Sequence, residues 1–250
     1  MRGRSVFTRL AWSLLFLGLA SLLLYGTFAS VHYSWNWSAA WNYREQFVRG
    51  WIATLIISGG AMLISVLLGF VLMLGRRSPH EPLRLLCSAV VEVVRGSPLL
   101  VQLLIGYYIV ATALRIDSPL FVGTFLLGLF EAAYLAEIFR GAVESIGASQ
   151  WESARAVGLD TRQTYRHVII PQAVRRALPG TTGELVSLIK SSSLLSVIGI
   201  EELVQKVRVL NSASYTALEG YLPLAAAYLM VTLPLSWWAR RLERRFAYET

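Results

Sequence analysis

The sequence predicts an all-α, polytopic membrane helical bundle. Two observations carry that reading. Of 250 residues, 55% are apolar and only 15% charged, with a mean hydropathy of +0.54, whereas soluble domains carry about 25% charge. The apolar residues also gather into runs of membrane length. Residues 10–31 and 51–74 hold no charge, and 221–239 is similar despite Pro223 and Pro234. Each run is long enough to cross a hydrocarbon core of about 30 Å. Three more runs are interrupted. Residues 85–114 hold Glu92, Arg95 and Pro98, 120–139 hold Glu131 and Glu137, and 178–200 hold Glu184 and Lys190. Six transmembrane helices result.

The arginines set the expected orientation, because cytoplasmic loops are enriched in basic residues. With the N-terminus inside, the inner segments carry Arg2, Arg4, Arg9, Arg76, Arg77, Arg84, Arg140, Arg155, Arg162, Arg166, Arg175, Arg176, Arg240, Arg241, Arg244 and Arg245. The outer segments carry Arg44, Arg49, Arg115, Lys206 and Arg208. Sixteen against five favours N-in and C-in. It also reads the net charge of +8 as a topology signal, with no nucleic-acid partner. Trp35, Trp37, Trp41, Trp51, Trp237 and Trp238 lie near span ends, where amphipathic rings favour the interface.

The first run has a rival reading as a cleaved signal peptide, with Thr27 and Ala29 as the small residues before the cut. Its length favours an uncleaved anchor; cleavage would leave five spans. Residues 1–49 are therefore expected to be an N-terminal anchor with a periplasmic segment, and 50–250 the transport domain. The single cysteine, Cys87, reads as a small buried hydrophobe. Gly59, Gly60, Gly69 and Gly75 are expected to allow close helix approach.

The longest inner loop, residues 140–177, carries explicit helix punctuation. Ser149 and Glu152 have capping-box spacing. Gly158 stands where a helix C-terminus takes positive φ, and Asp160 or Thr161 can cap a second short helix limited by Pro171. Pro179 is placed in the first turn of the fifth span, where proline is tolerated. A folded helix–glycine–helix unit suggests a docking surface; an amphipathic helix lying on the membrane is the alternative.

Glu152, Ser153 and Ala154, then Gly158, then Ile169, Ile170 and Pro171 resemble the signature loop of binding-protein-dependent ABC importer permeases. That family pattern reads E-A-A, three residues, G, nine residues, I-x-L-P, and here Ser153 and Ile170 are departures from it. Residues 95–102 (RGSPLLVQ), 133–141 (AYLAEIFRG), 171–173 (PQA) and 185–198 resemble the polar amino-acid permeases, the histidine, glutamine, glutamate and arginine group. The resemblance covers residues 50–245.

It implies a five-helix family core plus one N-terminal helix in a bacterial inner membrane. The implied partners are two copies of an ATP-binding subunit, a second permease subunit (identical or homologous), a periplasmic substrate-binding protein and a polar amino acid. Glu152, Ala154 and Gly158 are the implied coupling residues. A Walker A loop needs G-K-[ST], and neither Lys190 nor Lys206 follows glycine. ATP and magnesium are accordingly expected on the partner, with no cofactor or metal on this chain and no catalytic residue.

A charge at mid-bilayer costs about 2.5–3.5 kcal/mol on insertion scales, so ionisable groups there mark a cavity or a partner. Glu92 with Arg95, and Glu137 with Arg140, are three apart and expected to form structural ion pairs. Lys190 is expected to snorkel, to pair with Glu184, or to line the pathway. Glu131 has no basic neighbour within one turn and stands where the family often has asparagine. It is either a pathway carboxylate or a protonated acid hydrogen-bonded between helices. Glu184 matches a common family acid, and Tyr134 shares the face of Glu131. Two pathway acids would favour a basic or zwitterionic amino acid. Two other classes are weighed. A proton-coupled secondary transporter would use Glu131 and Glu184 as carriers. A membrane enzyme is disfavoured because His32, His80 and His167 do not cluster and hydrolase motifs are absent.

Overall fold

The structure, a computed structural model, describes residues 3–30 and 33–246. Arg2, Val31 and His32 lie outside the described residues, as do the side chains of Arg4, Arg9 and Ala29. The chain divides into two units, one through Trp37 and one from Ser38 onward. The first holds helix α1 (Gly3–Ser30), which includes the apolar stretch Ala11–Thr27.

The second unit consists of helices joined by short turns among its described residues. After the short α2 (Trp37–Asn42) comes α3 (Arg44–Arg76), whose Glu45 and Arg49 pair at 2.6 Å in its first turns. Its buried stripe of Thr54, Ser58, Ala61, Ser65 and Gly69 is built of small residues. That stripe lets α3 approach α6 (Pro119–Glu144) backbone to backbone. A Cβ on Gly69 would lie 3.0 Å from the Ala132 carbonyl oxygen, and one on Gly128 would lie 3.0 Å from that of Ala61. The Ser65 hydroxyl bridges the seam, donating to the carbonyls of Ala61 (2.6 Å) and Gly128 (3.0 Å). Gly60 and Gly75 also meet neighbours, Thr124 and Cys87, and Cys87 is buried as expected. Gly59 faces open space, against expectation.

The run 85–114 is not one straight span. It forms α4 (Glu81–Gly96), then α5 (Leu99–Ile105) continuing into a π-helical turn, Gly106–Ala111, with a bend of 109° between them. The cause is local. Pro98 crowds the residue before it out of the helical region, and Ser97 is extended (φ −124°, ψ 151°). Gln102 then seals the corner: its Nε2 donates to the carbonyls of Val94 (2.7 Å) and Ser97 (3.2 Å).

Beyond α6, the chain forms α7 (Ala148–Ala156), α8 (Thr161–Thr164), a π-helical turn Tyr165–Ile169, and α9 (Ile170–Ser191). Pro171 does not end the helix; it opens the first turn of α9, where a missing N–H is tolerated. Pro179 lies inside α9, not in a first turn, because the helix starts earlier than the apolar run does. A 3-10 turn, Ser192–Ile198, and Gly199 (φ +79°) lead to α10 (Leu203–Ser214), bent by 49° from the preceding unit, and α11 (Ala217–Phe246) closes the fold.

Helices α3, α6 and α11 are each long and apolar enough to cross a membrane, and the two bent units bring the number to five by length and composition. The core runs between α3, α5, α6 and α9, around Ile57, Leu103, Leu127, Leu188 and Leu195. The bundle has two distinct ends. The start of α3 meets α10, where a Cβ on Gly50 would lie 3.0 Å from the Leu203 Cα. Its last residue, Arg76, reaches Glu137 of α6 on the side that leads into α7.

Candidate functional site

Three groups of residues stand out along the bundle axis. The first is the helical knob within loop 140–177. Its cap is not Ser149: α7 starts two residues earlier than that cap would place it, after Gly147, and no side chain among the described residues caps it. The C-terminal punctuation is as expected. Gly158 has φ +82°, its N–H donates to the Arg155 carbonyl (3.0 Å), and the Leu159 N–H donates to that of Ala154 (3.1 Å). These two bonds form a Schellman motif, which needs a left-handed residue, and glycine takes that conformation without a Cβ clash. Asp160 caps α8 in a complete capping box: the Gln163 N–H donates to Asp160 Oδ1 (2.8 Å), and the Asp160 N–H donates to Gln163 Oε1 (2.9 Å).

The knob has an inner and an outer face. Ala154 is buried, and Trp151 stands edge-on to Tyr165 with centroids 5.1 Å apart, over a small core of Ile146, Ile169 and Ala173. Glu152 and Gly158 are exposed, and Val157 is 75% exposed. A groove of about 630 Å³ runs along Trp151, Arg155, Leu159 and Thr164. Two polar ties hold the knob to the bundle. Arg176 of α9 donates to the Ser145 hydroxyl (2.9 Å), and the Gln172 amide donates to Gln150 (3.2 Å).

The second group lies at the same end of the bundle. Glu137 pairs with Arg140 (2.7 Å) as expected, but also with Arg76 of α3 and Arg95 of α4 (3.6 Å). Arg140 turns in addition to Glu144. Arg95 therefore does not pair with Glu92, which is exposed. A carboxylate on another helix gives it a better partner than a residue on its own face. The Arg95 guanidinium also sits over the Tyr134 ring at 5.4 Å.

The third group is at mid-bundle. Glu131 of α6 is 2% exposed, adjoins Glu184 of α9, and leaves its Oε2 without a hydrogen-bond partner. Tyr134 is half-buried one turn further along. Lys190 is exposed on α9 and makes no ion pair among the described residues, so the suggested Glu184–Lys190 pair does not form. Glu184 faces another acid instead.

Two buried acids, Glu202 and Glu219, escaped the sequence reading. Glu202 is fully buried and caps α10, accepting from the N–H groups of Val204 (2.9 Å) and Gln205 (2.8 Å). The Tyr228 hydroxyl (3.4 Å) and the Thr54 hydroxyl (3.5 Å) also donate to it. Its local signal was an acidic residue just before an amphipathic helix, which is the composition of an N-cap.

Residues 65–248 match the model of the family described as binding-protein-dependent transport system inner membrane component. This chain belongs to that family. It is accordingly a multi-pass membrane permease, a transport subunit. The glutamine transport system permease protein of Escherichia coli is 36% identical over 218 residues, covering 84% of this chain and 97% of its own length. The nopaline transport system permease protein of Agrobacterium fabrum is 35% identical over 196 residues, covering 70% and 81%. Among solved structures, an amino acid ABC transporter crystallised with histidines has a TM-score of 0.79 at 33% identity, covering 85% of this chain and 100% of that one. An inward-facing methionine ABC transporter shares the fold alone, with a TM-score of 0.67 at 19% identity over 81% of this chain and 97% of that one. Membership in the binding-protein-dependent family speaks against the proton-coupled secondary transporter as the reading of Glu131 and Glu184.

Proposed function

We propose that this chain moves a basic or zwitterionic polar amino acid into the cytoplasm across a bacterial inner membrane, driven by a separate ATP-binding subunit. The observation that carries the substrate class is the Glu131–Glu184 pair. Two carboxyl groups adjoin on facing helices and share a hydrogen bond, and Glu131 Oε2 has no further partner among the described residues. A buried acceptor left unsatisfied is costly, and a cation in the pathway satisfies it. An α-ammonium or a basic side chain supplies both the charge and the donors, with Tyr134 bordering the same face of α6. Lys190, exposed on α9, stays in this reading as a further residue of the pathway lining. Relatives named for glutamine and nopaline transport, and a neighbouring structure of an amino acid transporter, support an amino-acid cargo.

The knob Ala148–Ala156 with Gly158 is the coupling element in this reading, with Ala154 its buried anchor and Glu152 on its exposed face. Two ATP-binding subunits, carrying ATP and magnesium, grip the knobs of two permeases, and a periplasmic binding protein delivers the cargo. The arginine bias supports N-in and C-in, with α1 as a sixth span and anchor. Closure of the ATPases biases the bundle between inward-open and outward-open states.

Uptake of labelled L-arginine and L-glutamine into proteoliposomes, with the cognate ATPase and binding protein present, tests the site. Glu131→Gln should lower uptake by about tenfold or more, the worth of a charge-assisted hydrogen bond. Unchanged transport of both would remove Glu131 from the pathway.

A further inference from the structure

At the knob end of α6, three guanidinium groups meet two carboxylates, so the ion-pair network carries one surplus positive charge. Two of the arginines take all its hydrogen bonds. Glu137 Oε2 accepts from Arg140 Nη2 (2.7 Å) and Nε (3.1 Å), its Oε1 accepts from Arg76, and Glu144 accepts from the other arm of Arg140. Arg95 stands at 3.6 Å from Glu137 Oε1, outside hydrogen-bond reach. Its guanidinium donates no hydrogen bond among the described residues, and its other contact is the Tyr134 ring, 5.4 Å away.

Helix α4 builds this position. Val91 and Val94 pack with Met73 on Ala133 and Ala136 of α6, the neighbours of Tyr134 and Glu137. Arg95 follows in the last turn of α4, where the helix dipole favours a cation. Its side chain is 40% exposed, so it is placed over the ring without being locked there. Towards mid-bundle, one turn from Tyr134, Glu131 Oε2 lacks a partner. Tyr134 therefore borders a carboxyl pair that lacks a cation and a cation that lacks a hydrogen-bonding carboxylate. The face of its ring attracts cations from either source.

We propose that Arg95 is the exit gate of the pathway: a resident cation on the Tyr134 ring that a basic cargo must displace to leave the Glu131–Glu184 pair for the cytoplasm. L-Arginine brings a net positive charge and a guanidinium that contests the same ring face. L-Glutamine, with a neutral side chain and no net charge, contests it far less. When Arg95 closes its 3.6 Å gap to Glu137, it leaves the ring and the exit opens. The gate thus ties the pathway to the α3–α4–α6 cluster that moves with the knob. This inference rests on the amino-acid transport reading above and adds which residue controls release; delivery by the binding protein on the opposite side is unaffected.

Equilibrium binding of labelled L-arginine and L-glutamine to the permease–ATPase complex in lipid nanodiscs tests the gate. Arg95→Gln should tighten L-arginine relative to L-glutamine by about threefold or more, the worth of a cation on an aromatic face. Arg95→Lys keeps a cation and should return the ratio towards that of the unaltered chain. In a Tyr134→Leu background, with no ring to contest, Arg95→Gln should move the ratio less. An unmoved ratio, an equal change with Arg95→Lys, or an undiminished effect in Tyr134→Leu overturns the gate. Should Arg95→Gln fail to assemble, Arg95→Met, of similar length and also uncharged, is read by the same ratio. ATP-driven uptake by the unaltered complex separates the two levels. Uptake with an unmoved ratio rejects only the gate; neither binding nor uptake of either amino acid rejects the transport reading and the gate with it.

Discussion

At the knob end of the bundle Glu137 meets three arginines from three helices, whereas at mid-bundle Glu131 keeps an oxygen with no partner. Both are carboxylates on α6, six residues apart in sequence. The difference separates two jobs. A fully paired cluster makes α3, α4 and α6 move as one body, as a lever must. An unpaired buried group has its partner still to come, as a binding site must. The knob belongs with the first kind, since its helix ends are closed by a Schellman motif and a capping box.

Substitutions break or sharpen this contrast. The largest effect is expected from Glu137→Ala, which strands Arg76 in a partly buried setting while Arg140 keeps Glu144. Removing one partner of such a pair costs about 3–5 kcal/mol, so thermal unfolding of the detergent-solubilised protein should shift strongly downward. Gly158→Val comes next. Nothing crowds a Cβ there, so the cost is backbone strain alone, about 1–2 kcal/mol for a left-handed side-chain-bearing residue. It falls on the knob, and ATP-driven uptake should drop while membrane insertion persists. Asp160→Ala removes a cap worth about 1 kcal/mol, and proteolysis of loop 140–177 should become faster. Glu131→Gln should change stability least, by under about 1 kcal/mol, because no protein hydrogen bond at Oε2 is lost. Its signature is lost uptake in a normally folded protein. A large drop in its melting temperature would erase the contrast.

The amino-acid sequence made the long apolar helices legible, because charge-free runs in α3 and near-free runs in α11 leave few other structures for them. Gly158 and Asp160 were legible too, since helix ends follow local rules. The corner after α4 was not, although Pro98 was visible. Hydropathy averages over a bend, and only Gln102 reaching back to Val94 shows how the bend is sealed. Ser149 misled because two start points two residues apart compete for one helix, and Gly147 won without a side-chain cap. Glu131 and Glu184 were each visible alone, but their meeting depends on how α6 packs on α9. Glu202 was hidden for the same reason: two of its donors, Thr54 and Tyr228, come from α3 and α11.

Val157 offers the most direct test of the central claim that a separate ATPase grips the knob. It is 75% exposed at the tip of α7, and the native cysteine is buried. Val157→Cys, carrying a thiol-linked photocrosslinker, should join to the cognate ATP-binding subunit in native membranes. An impermeant maleimide should reach the same thiol only from the cytoplasmic side. Labelling from the periplasmic side, or full ATP-driven transport with a bulky adduct at position 157 and no crosslink to the ATPase, would contradict the account.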